Sequence, residues 1–351
     1  MASCLFIVQG EGKGHMSQAL ALKEHLDKAG HTVESVLLGI RSPEAVPDYF
    51  REAFPGTLRT FRSPWFLRTP NRKGIYVGRT LGYNLLRSFS YLRSVAWIRS
   101  EIERVQPDVI FNFYEVLGAL AMRKAAPGIR TIGLGHHFYL YLNRSYCSGG
   151  PAWQRVLLNL HTRLIMLSCR QVLALSHRAE PGNGPVQLIP PLVRREFREI
   201  RFEPGERYLV YFLQEGFLYD LVQLALQVPG FQADVFTSLK PAMDIPDGIR
   251  IHPYNAEKFC KFMASCKGLI ATAGFDSIAE AAYAGIPLAV VPSRNHLEQK
   301  CNAEEIADKG IGIYARQIDK GTLNQMKATD PALYRRWADQ AGPMIIGCMM
   351  E

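Results

Sequence analysis

Two doubly wound α/β domains, each built on a parallel sheet, are what the sequence predicts for this chain of 351 residues. Three observations carry the prediction. Short apolar runs alternate with helical patterns, as parallel strands covered on both faces require. The alternation breaks off near residue 190 and restarts after about 205, around the stretch "IPPLVRREFREIRFEPGE", where two prolines, a run of charge and Pro204-Gly205 read as a linker. The length also exceeds what one core usually organises.

The first series of buried strands reads "CLFIV", "VESVLL", "DVIFNF", "RTIGLG", "QVLALS" and "VQLIP". Ala19, Leu22, Leu26 and Ala29 mark the apolar stripe of the first helix at helical spacing. The second series reads "YLVYFL", "ADVFT", "IRIHPY", "GLIATA", "IPLAVVP" and "GIGIYA", with helices over "DSIAEAAYAG" and "HLEQKCNAEEIADKG". The expected organisation is therefore a domain over 1–190, a linker over 191–205 and a domain over 206–330. A last helix, 331–351, is free to pack back on the first domain.

Composition is that of an ordinary globular protein, 48% apolar and 21% charged. The seven cysteines form no C-x-x-C pair and read as mostly buried reduced thiols, which suits a cytoplasmic setting. The stretch before Gly10 has neither a basic n-region nor room for an apolar h-region. The longest apolar region, "VLLNLHTRLIMLS", is broken by His161 and Arg163 and falls short of a membrane span.

Charge is concentrated. Residues 51–104 hold eleven bases, ten of them arginine, against three acids, which accounts for +8 of the net +9. Trp65, Phe66, Tyr76, Tyr83, Phe89, Tyr91 and Trp97 are interleaved. A solvated helical face and a surface for anionic lipid both fit this pattern. No nucleic-acid motif accompanies the run, so nucleic acid is not expected as a partner.

The stretch "GEGKGHMSQALALKEHL" follows the first strand directly. Gly10, Gly12 and Gly14 then open a helix at a strand's carboxyl end, where backbone N–H groups face an approaching ligand. The spacing G-x-G-x-G-H differs from the dinucleotide fingerprint, and no acid ends the second strand, so a nicotinamide site is poorly supported. His15 stands at the mouth of this turn, as a cap, a phosphate contact or a base.

A second dense stretch is "TAGFDSIAEAAYAGIPLAVVPSRNHLEQKCNAEEIADKGIGI". A strand ends near Thr272, Ala273-Gly274 turn, and Ser277 and Glu280 fall early in the next helix. A carboxylate there can accept hydrogen bonds from two ribose hydroxyls. "SRNHLEQ" then brings Arg294, Asn295, His296 and Gln299 to another strand's end.

On these two stretches the chain resembles the GT-B glycosyltransferases, with MurG-like N-acetylglucosaminyltransferases and diacylglycerol galactosyltransferases among the nearest in look. The resemblance implies two Rossmann-like domains facing a central cleft, with a nucleotide sugar, usually UDP-linked, on the second and an acceptor on the first. It implies that Glu280 binds the ribose, and that Gln299 with Asn295 or His296 contacts the sugar. Thr272, Ala273, Gly274, Phe275, Asp276 and Ser277 would wrap the diphosphate, with Arg294, Gly12, Gly14 and Gly216 contributing. His15 would be general base or diphosphate contact. One departure stands out: where relatives carry a glycine-rich turn, this chain has "FLQEGFLYD", with Gln214, Glu215 and only Gly216.

Inverting transfer needs a base for the acceptor hydroxyl and stabilisation of the departing diphosphate. His15 is the candidate base, and Glu115 in "NFYEVLGA" could hold its tautomer or act in its place. His136 and His137 in "GLGHHFYL" are acceptor-binding candidates, though neighbours in sequence can point to opposite faces. No D-x-D occurs, so neither a metal nor a cofactor beyond the donor is called for. A cell-envelope role, peripheral on the inner face of the cytoplasmic membrane, would follow from a lipid or glycan acceptor. A nucleotide-sugar 2-epimerase and a non-catalytic nucleotide-sugar-binding subunit are the competing functions.

Overall fold

The structure, a computed structural model, describes residues 1–350 except 68, 70–74, 144, 145, 148, 181–185, 213–215 and 238–242. It divides into two compact units. Unit 1 comprises Met1–Phe66, Val77–Arg194 and Arg336–Glu351, and unit 2 comprises Leu67–Tyr76 and Arg195–Arg335.

Unit 1 holds β1 (Ser3–Gln9), β2 (Thr32–Ile40), β3 (Leu58–Arg62), β4 (Val109–Phe113), β5 (Arg130–Gly135), β6 (Gln171–Leu175) and β7 (Val186–Ile189). Their order is β3-β2-β1-β4-β5-β6-β7, and every pairing is parallel. Unit 2 holds β8 (Tyr208–Tyr211), β9 (Ala233–Phe236), β10 (Ile249–His252), β11 (Gly268–Ala271), β12 (Leu288–Val290) and β13 (Ile313–Tyr314). Their order is β10-β9-β8-β11-β12-β13, again parallel throughout. Both sheets are α/β and doubly wound, and each reverses its direction of travel once, between β1 and β4 and between β8 and β11.

The helices of unit 1 are α1 (Gly14–Lys28), α2 (Asp48–Ala53), α3 (Val77–Leu86), α4 (Ser88–Val105), α5 (Val116–Met122) and α6 (Ala152–Met166). Those of unit 2 are α7 (Arg195–Arg198), α8 (Gly216–Gln227), α9 (Ala256–Ala264), α10 (Phe275–Ala284), α11 (Leu297–Asp308) and α12 (Lys320–Gln325). The boundary at 335/336 falls within α13 (Ala332–Ala338), and α14 (Ala341–Met350) lies in unit 1, where it meets α1 and β7. The core of unit 1 packs Leu5, Ile7, Leu37 and Ile110 of the sheet against Val95, Ile98 and Ile102 of α4 and Leu117 of α5. These strands are buried on both faces, which is why they read as unbroken apolar runs. The sequence signal missed β3, whose "LRTFR" buries only Phe61 fully.

Cys4, Cys169, Cys260, Cys266 and Cys348 are free thiols, in line with the reading of most of the cysteines as reduced. The basic segment is not one charged face: Arg59 and Arg104 both pair with Glu101, at 3.2 and 2.7 Å, and Arg51 reaches the Pro43 carbonyl. Tyr91 and Trp97 pack, partly buried, against the core cluster. Arg68, Arg72 and Lys73 lie outside the described residues, as do Leu213, Gln214 and Glu215 of the irregular turn, and Gly216 is the first residue of α8. No helix among the described residues is long and apolar enough to cross a membrane.

Glycine keeps the carboxyl ends of β1 and β2 close. Gly10 donates to the Gly39 carbonyl at 2.8 Å, and a Cβ on Gly10 would stand 2.5 Å from that oxygen. Gly10→Ala must therefore push backbone from backbone, with an expected loss of about 1–3 kcal/mol, the usual cost of overpacking. An unchanged midpoint in urea unfolding would show that the contact carries no such constraint.

Candidate active site

In unit 1 the predicted residues gather beyond the carboxyl ends of β1, β4 and β5. His15 is the second residue of α1, just past the glycine turn in which Gly12 takes φ +79°. Its Nδ1 lies 3.3 Å from the Gln18 side-chain oxygen, a geometry that suits the tautomer with the proton on Nδ1 and the lone pair on Nε2. The ring stacks on Tyr114 at 5.9 Å between centroids and lies 6.1 Å from His137. Tyr114 and His137 are themselves stacked at 4.0 Å, and His161 of α6 tilts against Tyr114 at 5.2 Å. Burial, with His137 and His15 nearby, pulls His161 down to about 4, so it is neutral at pH 7.

Tyr114 is held in this group at some cost. Its φ of +58° is left-handed backbone, which takes on the order of 1–3 kcal/mol in a residue with a side chain. Its hydroxyl and that of Thr162 are 2.6 Å apart, tying the strained turn to α6. His136 and His137 open a 3-10 turn over His136–Tyr141 and do diverge. His137 joins the His15 group, while Nδ1 of His136 lies 2.6 Å from the Leu175 carbonyl and its ring lies near Tyr146 and His177. Only His137 is thus brought to the other candidates.

Glu115 is next to Tyr114, but its carboxylate is directed elsewhere. Oε1 accepts from the Ser63 hydroxyl at 2.6 Å, and Oε2 accepts from the Gly118 N–H, capping α5. It is not a partner of the His15 ring. Burial pushes its pKa up to about 7, against the lowering effect of Ser63 and the α5 backbone. Lys13, the N-cap of α1, is shifted the other way: burial and Arg194 pull it down to about 8.

In unit 2 the candidates cluster around β11, α10 and α11. Gly274 is the N-cap of α10 and has no side chain to cap it, and Phe275, Asp276 and Ser277 form the first turn. The turn is fixed from inside: Gly274 N–H donates to the Thr272 carbonyl at 2.7 Å, Asn302 Nδ2 donates to the Ala273 carbonyl at 3.0 Å, and Ser277 Oγ donates to the Gly274 carbonyl at 3.1 Å. Glu280 lies one further turn along and is 5% exposed, within a helix buried nearly all round. A carboxylate so deeply placed is not a solvated surface acid.

The loop after β12 is held by two predicted contacts acting on the protein itself. Gln299 Oε1 accepts from Ser293 N–H at 2.8 Å, and His296 is the N-cap of α11, accepting from the Gln299 N–H. Asn295 takes φ +60°, and the Arg294 carbonyl accepts from Ile75 N–H at 3.3 Å. Sequence reading missed Tyr114, His161, Ser63 and Asn302. His161 did leave a signal, as a histidine interrupting an otherwise apolar helix.

Comparison with known proteins gives one answer. The model of glycosyl transferase family 1 matches residues 2–330. An uncharacterized glycosyltransferase of Methanosarcina acetivorans is 24% identical, with 88% of this chain and 84% of that protein covered. Among solved structures, Acinetobacter baumannii MurG superposes with TM-score 0.59 at 15% identity over 99% of each chain. Phytolacca americana UGT2, complexed with UDP-2fluoro-glucose and pterostilbene, does so with TM-score 0.64 at 12% identity over 100% of each.

Glu115 makes stability pH-dependent. Its folded pKa of about 7 exceeds the unfolded value, so between about pH 4.5 and 7 the folded state binds the proton that the unfolded state has lost. Stability contributed by this group falls as pH rises through that window, by at most about 1.4 kcal/mol per pH unit. Glu115→Gln can donate to Ser63 and accept from Gly118, and should flatten the slope. A slope equal to that of the wild type in chemical unfolding at several pH values would contradict the assignment.

Proposed function

We propose, from the premise that the chain belongs to glycosyl transferase family 1, an inverting transfer of a sugar from a nucleoside-diphosphate donor to a hydroxyl acceptor. The chain is a glycosyltransferase of GT-B fold. The observation that carries the finer reading is the start of α10 at the Gly274 turn beyond β11, with Glu280 buried further along the same helix. N–H groups at a helix N-terminus suit a diphosphate, and an acceptor-only carboxylate suits two ribose hydroxyls. UDP is the nucleotide favoured, in keeping with the UDP sugar bound by the Phytolacca protein.

In the proposed step, His15 Nε2 takes the proton of the acceptor hydroxyl. The oxygen attacks the anomeric carbon as the bond to the diphosphate oxygen breaks, and the electron pair leaves with the nucleoside diphosphate. Gln18, 3.3 Å from Nδ1, suits the tautomer this needs, and the stack of Tyr114 and His137 packs against the ring. Glu115 supports the turn that carries Tyr114 instead of acting as the base. The leaving charge is met by the α10 N–H groups and Arg294. The sequence has no D-x-D, so no divalent ion is invoked. The acceptor meets unit 1. A lipid or glycan at an anionic membrane suits a segment, 53–100, that contains nine Lys or Arg and no acid.

Glu280→Ala should weaken UDP binding by about 1.5–3 kcal/mol, the range for hydrogen bonds to a charged group, while folding survives. Unchanged affinity in a calorimetric titration removes Glu280 from the donor site. His15→Ala should lower kcat about 10²–10⁴-fold with donor affinity largely kept. Normal turnover in that variant sinks the base assignment.

A further inference from the structure

Three segments of unit 1, 53–66, 77–100 and 116–179, contain no Asp or Glu. In the structure their outward side is apolar as well as basic. α3 and α4 meet at Arg87, and around this corner Leu85, Leu86, Phe89 and Leu92 are 74%, 89%, 67% and 64% exposed. Arg79, Arg87 and Arg93 are exposed among them. The Arg87 guanidinium lies 4.4 Å from the Tyr83 ring centre and that of Arg93 lies 4.8 Å from that of Phe89, so two of these cations lie close to aromatic rings.

The apolar exposure does not stop at the corner. α4 packs on α5, and α5 packs on α6. α6 exposes Trp153, Val156 and Leu160 at 51%, 64% and 56%, with Arg163 also exposed. Exposed apolar groups gathered in this way mark an interaction site. The charge around them selects an anionic partner. The shape selects a fluid one: a protruding tip such as Leu86 needs a matching socket in a rigid protein, but in a bilayer it only displaces lipid.

We propose that the α3–α4 corner and the exposed face of α6 together form a seat for an anionic membrane surface. Leu85, Leu86 and Phe89 sink below the headgroups, and Arg79, Arg87 and Arg93 engage lipid phosphates. This rests on the reading of a membrane-held acceptor given above, and it names the surface and the mode of attachment.

The test is co-sedimentation of the full chain with vesicles of phosphatidylcholine, alone or mixed with phosphatidylglycerol. The protein should sediment with the mixed vesicles at low salt and remain in solution with phosphatidylcholine alone. Replacing Leu85, Leu86 and Phe89 together by Asn should reduce partitioning by about tenfold or more, given the gain per buried methylene. Replacing Arg79, Arg87 and Arg93 together by Gln should also reduce it and remove most of its salt dependence. A blue shift of tryptophan emission on binding should be lost in Trp153→Phe. Wild type that stays in solution with anionic vesicles overturns the proposal, as does an Asn variant that sediments like wild type. A blue shift surviving in Trp153→Phe removes α6 from the seat. A wild-type dimer that the Asn variant abolishes overturns it in favour of a second copy on this face. UDP titration of the Asn variant should match wild type, so a failure here leaves the donor site standing. Loss of UDP binding in the wild type would strike the donor reading and not this one.

Discussion

A strand in a parallel sheet can be left only at its carboxyl end, and the chain must then cross back over a face before it can pair again. Much of the candidate chemistry in this protein depends on that constraint. In unit 1 it brings the turns after β1, β4 and β5 to the same edge, which is how His15, Tyr114 and His137 become neighbours across 122 residues of sequence. In unit 2 it sets the Gly274 turn after β11 in line with the loop after β12. The order reverses between β1 and β4 and between β8 and β11, so crossovers leave these neighbours on opposite faces and open room above the strand ends.

What occupies those edges is kept out of its ordinary state. Tyr114 stands in left-handed backbone, Glu115 holds its proton up to about pH 7, and Lys13 loses some of its preference for charge. Each is unfavourable by itself, and each persists because the surrounding core fixes it. Ser63 and the α5 N-terminus hold Glu115, Thr162 holds Tyr114, and Asn302 holds the turn that presents α10. The supporting bonds are as much part of the candidate site as the groups that would touch a substrate, because they set orientation before any ligand arrives.

The fold was legible because buried parallel strands leave unbroken apolar runs, and β1, β4 and β11 are of this kind. β3 escaped because an edge strand with one buried face leaves only a short, mixed pattern. The Gly274 turn was legible because strand, glycine and helix follow one another directly in sequence. The roles of His136 and His137 were not, because a 3-10 turn rotates neighbours by about a third of a revolution, and sequence does not say which ends up on which side. Nor could it show that Gln299 and His296 would secure their own loop, or that Glu115 would bond Ser63 and not His15. Each of those depends on a contact between segments distant in sequence or on the path of a loop.

The most direct test is amide hydrogen exchange of the full chain with and without saturating UDP. If the start of α10 receives the diphosphate and Glu280 the ribose, exchange should slow over residues 272–280, and over 293–299 to a lesser degree, while α4 and α6 are unaffected. Unchanged exchange over 272–280 in the UDP-bound protein, or protection confined to unit 1, would contradict the donor site described here.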